Sequence, residues 1–372
     1  VAQSQVDQAA SQVGATQTVF YKMTNRSDRT VTGIATYNVE WFVNLFDEKG
    51  RLREDDAWSS RYNVTHAQQL TSLGIVFTAL DADAVMIIEA PDNNGQRRTV
   101  QMLERFADRY DLRCRKALLG FANETQQEIA MLYDPEVLTV KHDPKGGEDD
   151  PDGLAPRFDK SFPIDLDHDG VADMVTFNKP PLEIAAETRD GFRFRMIGVH
   201  AKSKAPHGAT TPEQFRRIAI DNRKKQLAEC IWMRRRVLEH LKAHDSLVVM
   251  GDLNDGPGLD EYEKLFGRSG VEIVMGWDEP RDQRMFDPHA KAMLGKKLAA
   301  APTTARFYLD DQKRYFTALL DYMMVSPDLK ARRPVWRIWH PFDDVKCYDV
   351  PELRDALLRA SDHFPVSIDL PI

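Results

Sequence analysis

The chain reads as an α/β protein of mixed β-sheets covered by helices, in one domain. Three observations lead there. Short apolar runs of strand length alternate along the 372 residues with stretches whose apolar positions recur at helical spacing. Hairpin-like stretches are interspersed among them, which makes the sheets mixed rather than purely parallel. No repeat of the solenoid kind breaks the pattern.

Taken in order, residues 1–30 read as a disordered leader and 31–372 as the domain, with an acidic insertion over 143–178. Residues 1–18 are polar, rich in Gln, Ser and Ala, and lack the apolar centre of a secretory signal. Residues 33–37 form a strand that runs into Asn38-Val39-Glu40-Trp41-Phe42. Residues 47–56 are an acidic, turn-rich loop. Over 63–80, Val64, Ala67, Leu70, Leu73, Phe77 and Leu80 fall at helical spacing. Residues 83–89 are a buried strand ending in a carboxylate, 98–110 an amphipathic helix, and 128–133 a strand stopped by Asp134-Pro135. Residues 145–163 are rich in Gly, Pro and Asp and read as a loop or insertion. A strand over 192–199 stops at His200. Thr211-Pro212-Glu213-Gln214 has the hydroxyl, proline and Gln spacing of a capped helix start, and that helix continues to Leu241. Residues 246–252 follow as a strand that stops at Gly251-Asp252-Leu253-Asn254-Asp255-Gly256-Pro257. Residues 319–325 and 364–370 are the last strands, with a short helix over 351–360 between them.

Composition bounds the function. The chain is 42 % hydrophobic, ordinary for a globular protein, and holds no long apolar segment that would cross a membrane. Cys114, Cys230 and Cys347 are odd in number, far apart and outside any Cys-x-x-Cys spacing. They suit neither a disulfide framework nor a thiolate zinc site, and they point to a reducing, cytoplasmic setting. A secreted or periplasmic protein whose signal is already removed is the alternative. Formal net charge is −8, and residues 143–173 hold ten acidic against three basic residues, a net of −7. Such a chain does not grip nucleic acid non-specifically as a polycation, although Lys202 and Lys204, Arg216-Arg217, residues 223–225 and residues 234–236 leave room for one positive face. No protein partner is evident.

Four strands end in polar groups: Asn38 with Glu40, Glu89, His200, and Asp252 with Asn254. Polar groups at strand ends converge when the strands share a sheet, and open α/β sheets keep their sites there. Taken singly, Asp252-Leu253-Asn254 is equally a strand end with an Asx turn. Two carboxylates with amides and no thiolate make an oxygen-rich site suited to Mg²⁺ or Mn²⁺. Asp321 stands inside the apolar run 318–325, where a lone carboxylate is costly without a partner. The partner expected is His363, from Ser361-Asp362-His363-Phe364-Pro365. A buried carboxylate raises an imidazole's pKa, and the imidazolium then faces a phosphoryl oxygen. Alone, His363 is equally a satisfied structural histidine.

Six segments resemble the endonuclease/exonuclease/phosphatase superfamily, the deoxyribonuclease-I-like hydrolases. They are Thr36-Tyr37-Asn38-Val39-Glu40, residues 84–89, Val199-His200-Ala201-Lys202-Ser203, Gly251-Asp252-Leu253-Asn254-Asp255, Leu320-Asp321-Tyr322 and Ser361-Asp362-His363. They occur in the family's order from about residue 33 onward. The resemblance implies a four-layer sandwich, two packed mixed β-sheets flanked by helices, and a metal-dependent phosphoesterase acting on nucleic acid or a small phosphate ester. It implies Glu89 as the principal ligand of a catalytic Mg²⁺ or Mn²⁺, with Asn38 and Asp362 beside it. Asp252 then orients or deprotonates the attacking water, and Asn254 holds that water or a phosphoryl oxygen. His363 with Asp321 stabilises the transition state, and His200 assists at the leaving group. Glu40, Lys202 and Lys179 are candidate substrate contacts. Two positions depart from the family's pattern: Ile88 stands where Gln often precedes the metal glutamate, and Lys179-Pro180-Pro181-Leu182 replaces Arg-Pro-Pro-Leu.

A second cation signal lies at residues 165–173. Asp at alternate positions followed by Gly opens a Ca²⁺ loop, with oxygens from Asp165, Asp167, Asp169, the Val171 carbonyl and Asp173. Thr176 stands where an EF-hand places its bidentate Glu, so the loop is not a regular EF-hand. A solvated acidic turn is the competing reading; a bound cation there would pin the insertion. His240 and His244 have helical zinc-pair spacing, but Leu241 stands where a zinc protease needs Glu, so they read as surface residues at a helix end. Arg234-Arg235-Arg236 reads as a solvated helix face.

The expected function is therefore a Mg²⁺-dependent phosphodiesterase or nuclease. A phosphomonoesterase or a sphingomyelinase-type lipid phosphodiesterase competes with it. The acidic balance favours small or non-duplex substrates, and no exposed aromatic hairpin for membrane attachment stands out. A calcium-stabilised, non-catalytic binding module is the alternative from another class; the joint presence of Glu89, His200, Asp252, Asn254, Asp321 and His363 argues against it.

Overall fold

The computed structural model describes residues 31–146, 154–166, 170–206, 208–257, 267–295, 301–309 and 313–372. The leader expected over 1–30 lies outside the described residues. In chain order the strands are β1 (Thr32–Asn38), β2 (Ala84–Ala90), β3 (Lys116–Leu119), β4 (Glu128–Tyr133), β5 (Leu138–His142), β6 (Ser161–Ile164), β7 (Asp173–Thr176) and β8 (Leu182–Thr188). They continue with β9 (Arg193–His200), β10 (Leu247–Asp252), β11 (Ala305–Leu309), β12 (Arg314–Ala318), β13 (Asp321–Val325), β14 (Val335–Ile338) and β15 (Val366–Leu370). The helices are α1 (His66–Leu80), α2 (Thr99–Arg109), α3 (Pro212–Lys242), α4 (Gly270–Met275), α5 (Pro288–Leu294), α6 (Pro327–Ala331), α7 (Val345–Tyr348) and α8 (Pro351–Ala360).

One sheet runs β14-β15-β1-β2-β4-β3 and the other β13-β10-β9-β8-β5. Each is mixed: β1 pairs parallel with β2 and antiparallel with β15, while β10 pairs parallel with β9 and antiparallel with β13. Between the sheets, Met86, Ile88 and Met131 meet Met196, Met250 and Met323. Helices α1, α2 and α8 cover the outer face of the first sheet through Leu73, Leu103, Phe106 and Leu357. Helices α3 and α4 cover the second through Trp232, Met233, Val271 and Val274. The result is helix, sheet, sheet, helix. Strand β10 shows why its sequence is apolar throughout: Val248 and Met250 face the inter-sheet core while Leu247 and Val249 face α3. Phe106 alone meets Phe42, Phe77 and Tyr110 with ring centroids 5.1–5.2 Å apart. Burying one such ring contributes about 1.5–3 kcal/mol.

The long helices start where their caps require. Thr65 accepts the Gln68 amide and Gln68 returns a bond to Thr65, a complete capping box, and Thr211 accepts the Gln214 amide ahead of Pro212. Strands β3, β5, β8, β11, β12 and β14 escape the apolar periodicity. Several of them are edge strands or hairpin arms with one wet face, and there side-chain pattern decides less than backbone pairing.

Three readings are corrected. The segment read as a loop or insertion over 145–163 is no plain loop: it carries the start of β6, which pairs with β7, and Phe158, Phe162 and Phe177 pack around Trp232 of α3 at 5.0–5.6 Å. Aromatic burial therefore docks it on the helix. The triple arginine is no solvated face. Arg236 is buried, paired with Glu183 (3.3 Å) and Glu239 (3.1 Å), and donates to the carbonyls of Lys145, Ala155 and Pro156. Arg234 is buried too, donating to the Gln283 carbonyl, and only Arg235 faces outward, over the Phe162 ring. His240 is likewise buried, 2.8 Å from Asp245, and not a surface residue. Arg223 is buried too, while Arg216, Arg217 and Lys224 stay exposed on α3.

Candidate active site

Parallel pairing places the C-terminal ends of β1, β2, β9 and β10 at one edge of the sandwich. The antiparallel neighbours add their beginnings: β13 starts at Asp321, directly opposite Asp252, and His363 immediately precedes β15. Asn38, Glu89, His200, Asp252, Asp321, Asp362 and His363 thus meet although the chain separates them.

The two sheets are bridged at this edge by Asn38, whose Nδ2 donates to Asp252 Oδ2 at 3.1 Å. Asp252 Oδ1 accepts the Asn254 amide at 2.7 Å, and Asn254 Nδ2 lies 3.2 Å from Asp252 Oδ2 and 3.0 Å from the Ala201 carbonyl. Around Asp252 Oδ2 stand His200 Nε2 at 3.7 Å and His363 Nε2 at 4.0 Å. His363 Nδ1 lies 2.7 Å from Asp321 Oδ2. Glu89 Oε2 accepts the Trp41 amide at 2.8 Å, while Oε1 faces His200 Nε2 at 3.9 Å. Lys179 Nζ stands 3.2 Å from His200 Nε2. Glu40 pairs with Arg61 and accepts the Asp362 amide. Glu89, Asp252 and His363 therefore share one pocket.

Left-handed backbone recurs here. Glu40, Trp41, Glu89 and Asn254 all have φ near +50° to +61°, a conformation that non-glycine residues hold only when their surroundings impose it. Glu89 sits at a register shift between β2 and β4, which re-aims its side chain. Gly251 has φ +132°, and a Cβ there would meet the Val199 carbonyl at 2.1 Å. Any side chain would push β10 from β9.

Burial sets the charges. Desolvation raises the pKa of Glu89, with Lys179 opposing, and raises that of Asp252, with His363 opposing. His200 is driven well below its ordinary value by burial, helped by Lys179 and His363. His363 goes the other way: burial opposes its charge, but Asp321, Asp252 and Asp362 outweigh burial and raise its pKa well above the ordinary value. Two adjacent histidines are thereby held in different states, His200 neutral and His363 an imidazolium.

The donor set suits a hard divalent cation. Glu89 turns Oε1 toward His200, and among the described residues the buried Asp362 Oδ1 has no hydrogen-bond partner. Asp252, Asp321 and His363 offer ligand atoms within 4.8 Å of one another, but Asp321 already engages His363 Nδ1. That favours a hydrogen-bonded pair there rather than a cation cage. Lys202 is placed differently from the rest: its amide donates to Glu229 at 2.7 Å, and its backbone lines the loop after β9. Of the Asp165–Asp173 loop, Asp167 and Asp169 lie outside the described residues. Asp165 accepts the Gly170 amide at 3.0 Å, and Val171 and Asp173 are exposed.

Sequence reasoning missed a polar layer beneath the pocket. Gln226 is fully buried on α3, and its Nε2 donates to the carbonyls of Lys202 (2.9 Å), Leu253 (3.3 Å) and Asn254 (2.9 Å). Its Oε1 accepts from Arg223, which also pairs with Asp255. Glu229, buried one turn further, has its pKa raised to about 7 by desolvation. Arg223, Gln226 and Glu229 recur every third residue amid an apolar stripe, the signal that could have flagged them. The other miss is on the rim: hairpin β11–β12, which also carries Arg306 and Arg314, exposes Tyr308 and Tyr315.

Two packed mixed sheets with acids, amides and imidazoles at their convergent strand ends define a phosphoesterase framework. The sequence model described as Endonuclease/Exonuclease/phosphatase family matches residues 35–363, and the chain belongs to that family. Its members hydrolyse phosphoester bonds and are typically dependent on a divalent metal. No curated protein sequence matches the chain significantly. Solved structures similar to it include an AP endonuclease from Archaeoglobus fulgidus (12 % identity, 92 % of this chain and 100 % of that one, TM-score 0.47). An endonuclease/exonuclease/phosphatase family protein from Bacteroides thetaiotaomicron is another (12 % identity, 91 % and 97 %, TM-score 0.45). The catalytic domain of human Nocturnin with bound sulfate is a third (13 % identity, 92 % and 95 %, TM-score 0.45).

Proposed function

We propose that this chain, as one catalytic domain over residues 31–372, is a divalent-metal-dependent phosphodiesterase that cleaves P–O bonds by in-line attack of water. The observation that carries the reading is the position of the Asp252 carboxylate, within 4.0 Å of both histidines and hydrogen-bonded to Asn38 and Asn254. Glu89, Asn38 and Asp362 would hold Mg²⁺ or Mn²⁺, which would supply charge neutralisation at the phosphate. Asp252 orients the attacking water and takes its proton; its raised pKa makes it a competent base near neutrality. Asn254 Nδ2 steadies that water or a phosphoryl oxygen. The His363 imidazolium, fixed by Asp321, faces the charge that grows on phosphorus's oxygens. His200, with Lys179 3.2 Å away, assists at the leaving group, and Glu40, Lys179 and Lys202 are candidate substrate contacts. A Ca²⁺ ion at Asp165–Asp173 is a separate, structural proposal. The three buried thiols are consistent with a reducing compartment.

The test is hydrolysis of bis(4-nitrophenyl) phosphate with Mg²⁺ or Mn²⁺, with chelator, and in His363→Ala. Turnover that needs the metal and collapses in the variant is the expected result; full turnover in chelator refutes the mechanism. The same controls applied to a phosphomonoester, plasmid DNA, RNA and sphingomyelin identify the substrate.

A further inference from the structure

The rim of the pocket carries a strip of exposed aromatic rings tied to the proposed metal ligands by backbone hydrogen bonds. Trp41 is 44 % exposed while its amide holds Glu89. The adjacent Glu40 accepts the Asp362 amide, and the Asp362 carbonyl accepts the Arg306 amide at 2.7 Å. Arg306 lies on β11, and its guanidinium sits 3.6 Å from the centroid of the Tyr315 ring and 5.8 Å from that of Phe342. Tyr308 and Tyr315 face each other across the hairpin at 5.2 Å. Tyr308, Tyr315 and Phe342 are 46 %, 50 % and 47 % exposed. The strip is anchored, not loose: Thr304 Oγ1 accepts the amides of Leu320 and Asp321, and the Phe364 amide donates to the Thr304 carbonyl.

Resting on the phosphodiesterase reading, we propose that this strip is the binding face for the unpaired bases of a single-stranded nucleic acid whose backbone enters the pocket. Flat rings interleaved with a guanidinium match both parts of such a strand, since bases stack on the rings and the cation meets phosphate. A duplex hides its base faces, so it offers the rings nothing. The chain's net charge of −8 supplies no general attraction for a nucleic-acid backbone, so the rings and Arg306 carry the binding.

The experiment measures binding without turnover, by fluorescence anisotropy of a labelled 12-nucleotide oligothymidylate in chelator. Wild type is compared with Tyr315→Ala, Phe342→Ala and Tyr315→Phe, each checked for an unchanged melting temperature. The expected result is binding that weakens roughly 5- to 100-fold in each alanine variant and is retained in Tyr315→Phe. No binding by wild type overturns the proposal, as do alanine variants that bind like wild type. Co-sedimentation with phosphatidylcholine vesicles that the alanine variants abolish, without oligonucleotide binding, assigns the strip to lipid and also overturns it. Hydrolysis of the small aryl diester tests the phosphodiesterase reading separately, because that ester needs no strand.

Discussion

Asp321 Oδ2 and His363 Nδ1, 42 positions apart in the chain, share a 2.7 Å hydrogen bond with both groups buried. The carboxylate lies opposite Asp252 across the β10–β13 ladder, so the acid that polarises the imidazole and the acid proposed to take the proton are ladder neighbours. Like charges so close are tolerable because the imidazolium stands beside both.

Asp321→Asn keeps a hydrogen-bond acceptor at that position and removes the charge. With the imidazolium no longer supported, kcat is expected to fall about 10²- to 10³-fold. Because the two groups act as a unit, Asp321→Asn/His363→Ala should be no slower than His363→Ala alone, as steady-state kinetics on the aryl diester will show. Additive losses would mean that Asp321 acts on something other than His363.

Gln226 clamps the two loops that carry His200 and Asn254. Gln226→Ala strands three carbonyls and part of Arg223 in a buried layer, at about 1–3 kcal/mol for each unsatisfied group. The loops should then drift apart, lowering kcat about tenfold or more while the melting temperature also drops. Calorimetry and kinetics on the same preparation check both. A variant that is less stable yet turns over at the wild-type rate would make Gln226 purely architectural.

His240 governs part of the acid stability. Burial lowers its pKa from 6.5 to about 4, with the Asp245 hydrogen bond opposing and the charges of Lys145 and Arg236 adding to the depression. The unfolded chain therefore binds a proton that the folded chain refuses between those values. The stability this contributes is complete above about pH 6.5 and is lost as pH falls through about 4, an effect on the order of 3 kcal/mol. Urea denaturation of wild type and His240→Gln from pH 7 to 4 should show the wild type losing stability faster by that amount. Parallel curves would exclude the histidine.

Much of the pocket was legible because its residues stand where strands stop. Asn38, Glu89, His200 and Asp252 each close an apolar run, and strand ends that face one way need only a shared sheet to converge. Asp321 was legible for a different reason, as a carboxylate that no apolar strand would hold without a partner. Arg236 and Gln226 were not. Both sit on a helix whose polar residues look solvated until the insertion around Phe158 and the loop after β10 are folded over them. The hairpin from Ala305 to Ala318 escaped because its two short arms alternate too irregularly to announce a pair.

The sequence by itself determined which residues lie at strand ends, which helices are amphipathic and capped, and therefore that mixed sheets would be covered by helices. These follow from local periodicity and backbone chemistry, which each segment carries alone. Only the tertiary structure decided which carboxylate meets which imidazole, that Arg223, Arg234 and Arg236 are buried, and that a row of rings borders the pocket. Those are distances between segments far apart in the chain, set by how whole layers pack, and no short window of residues contains them.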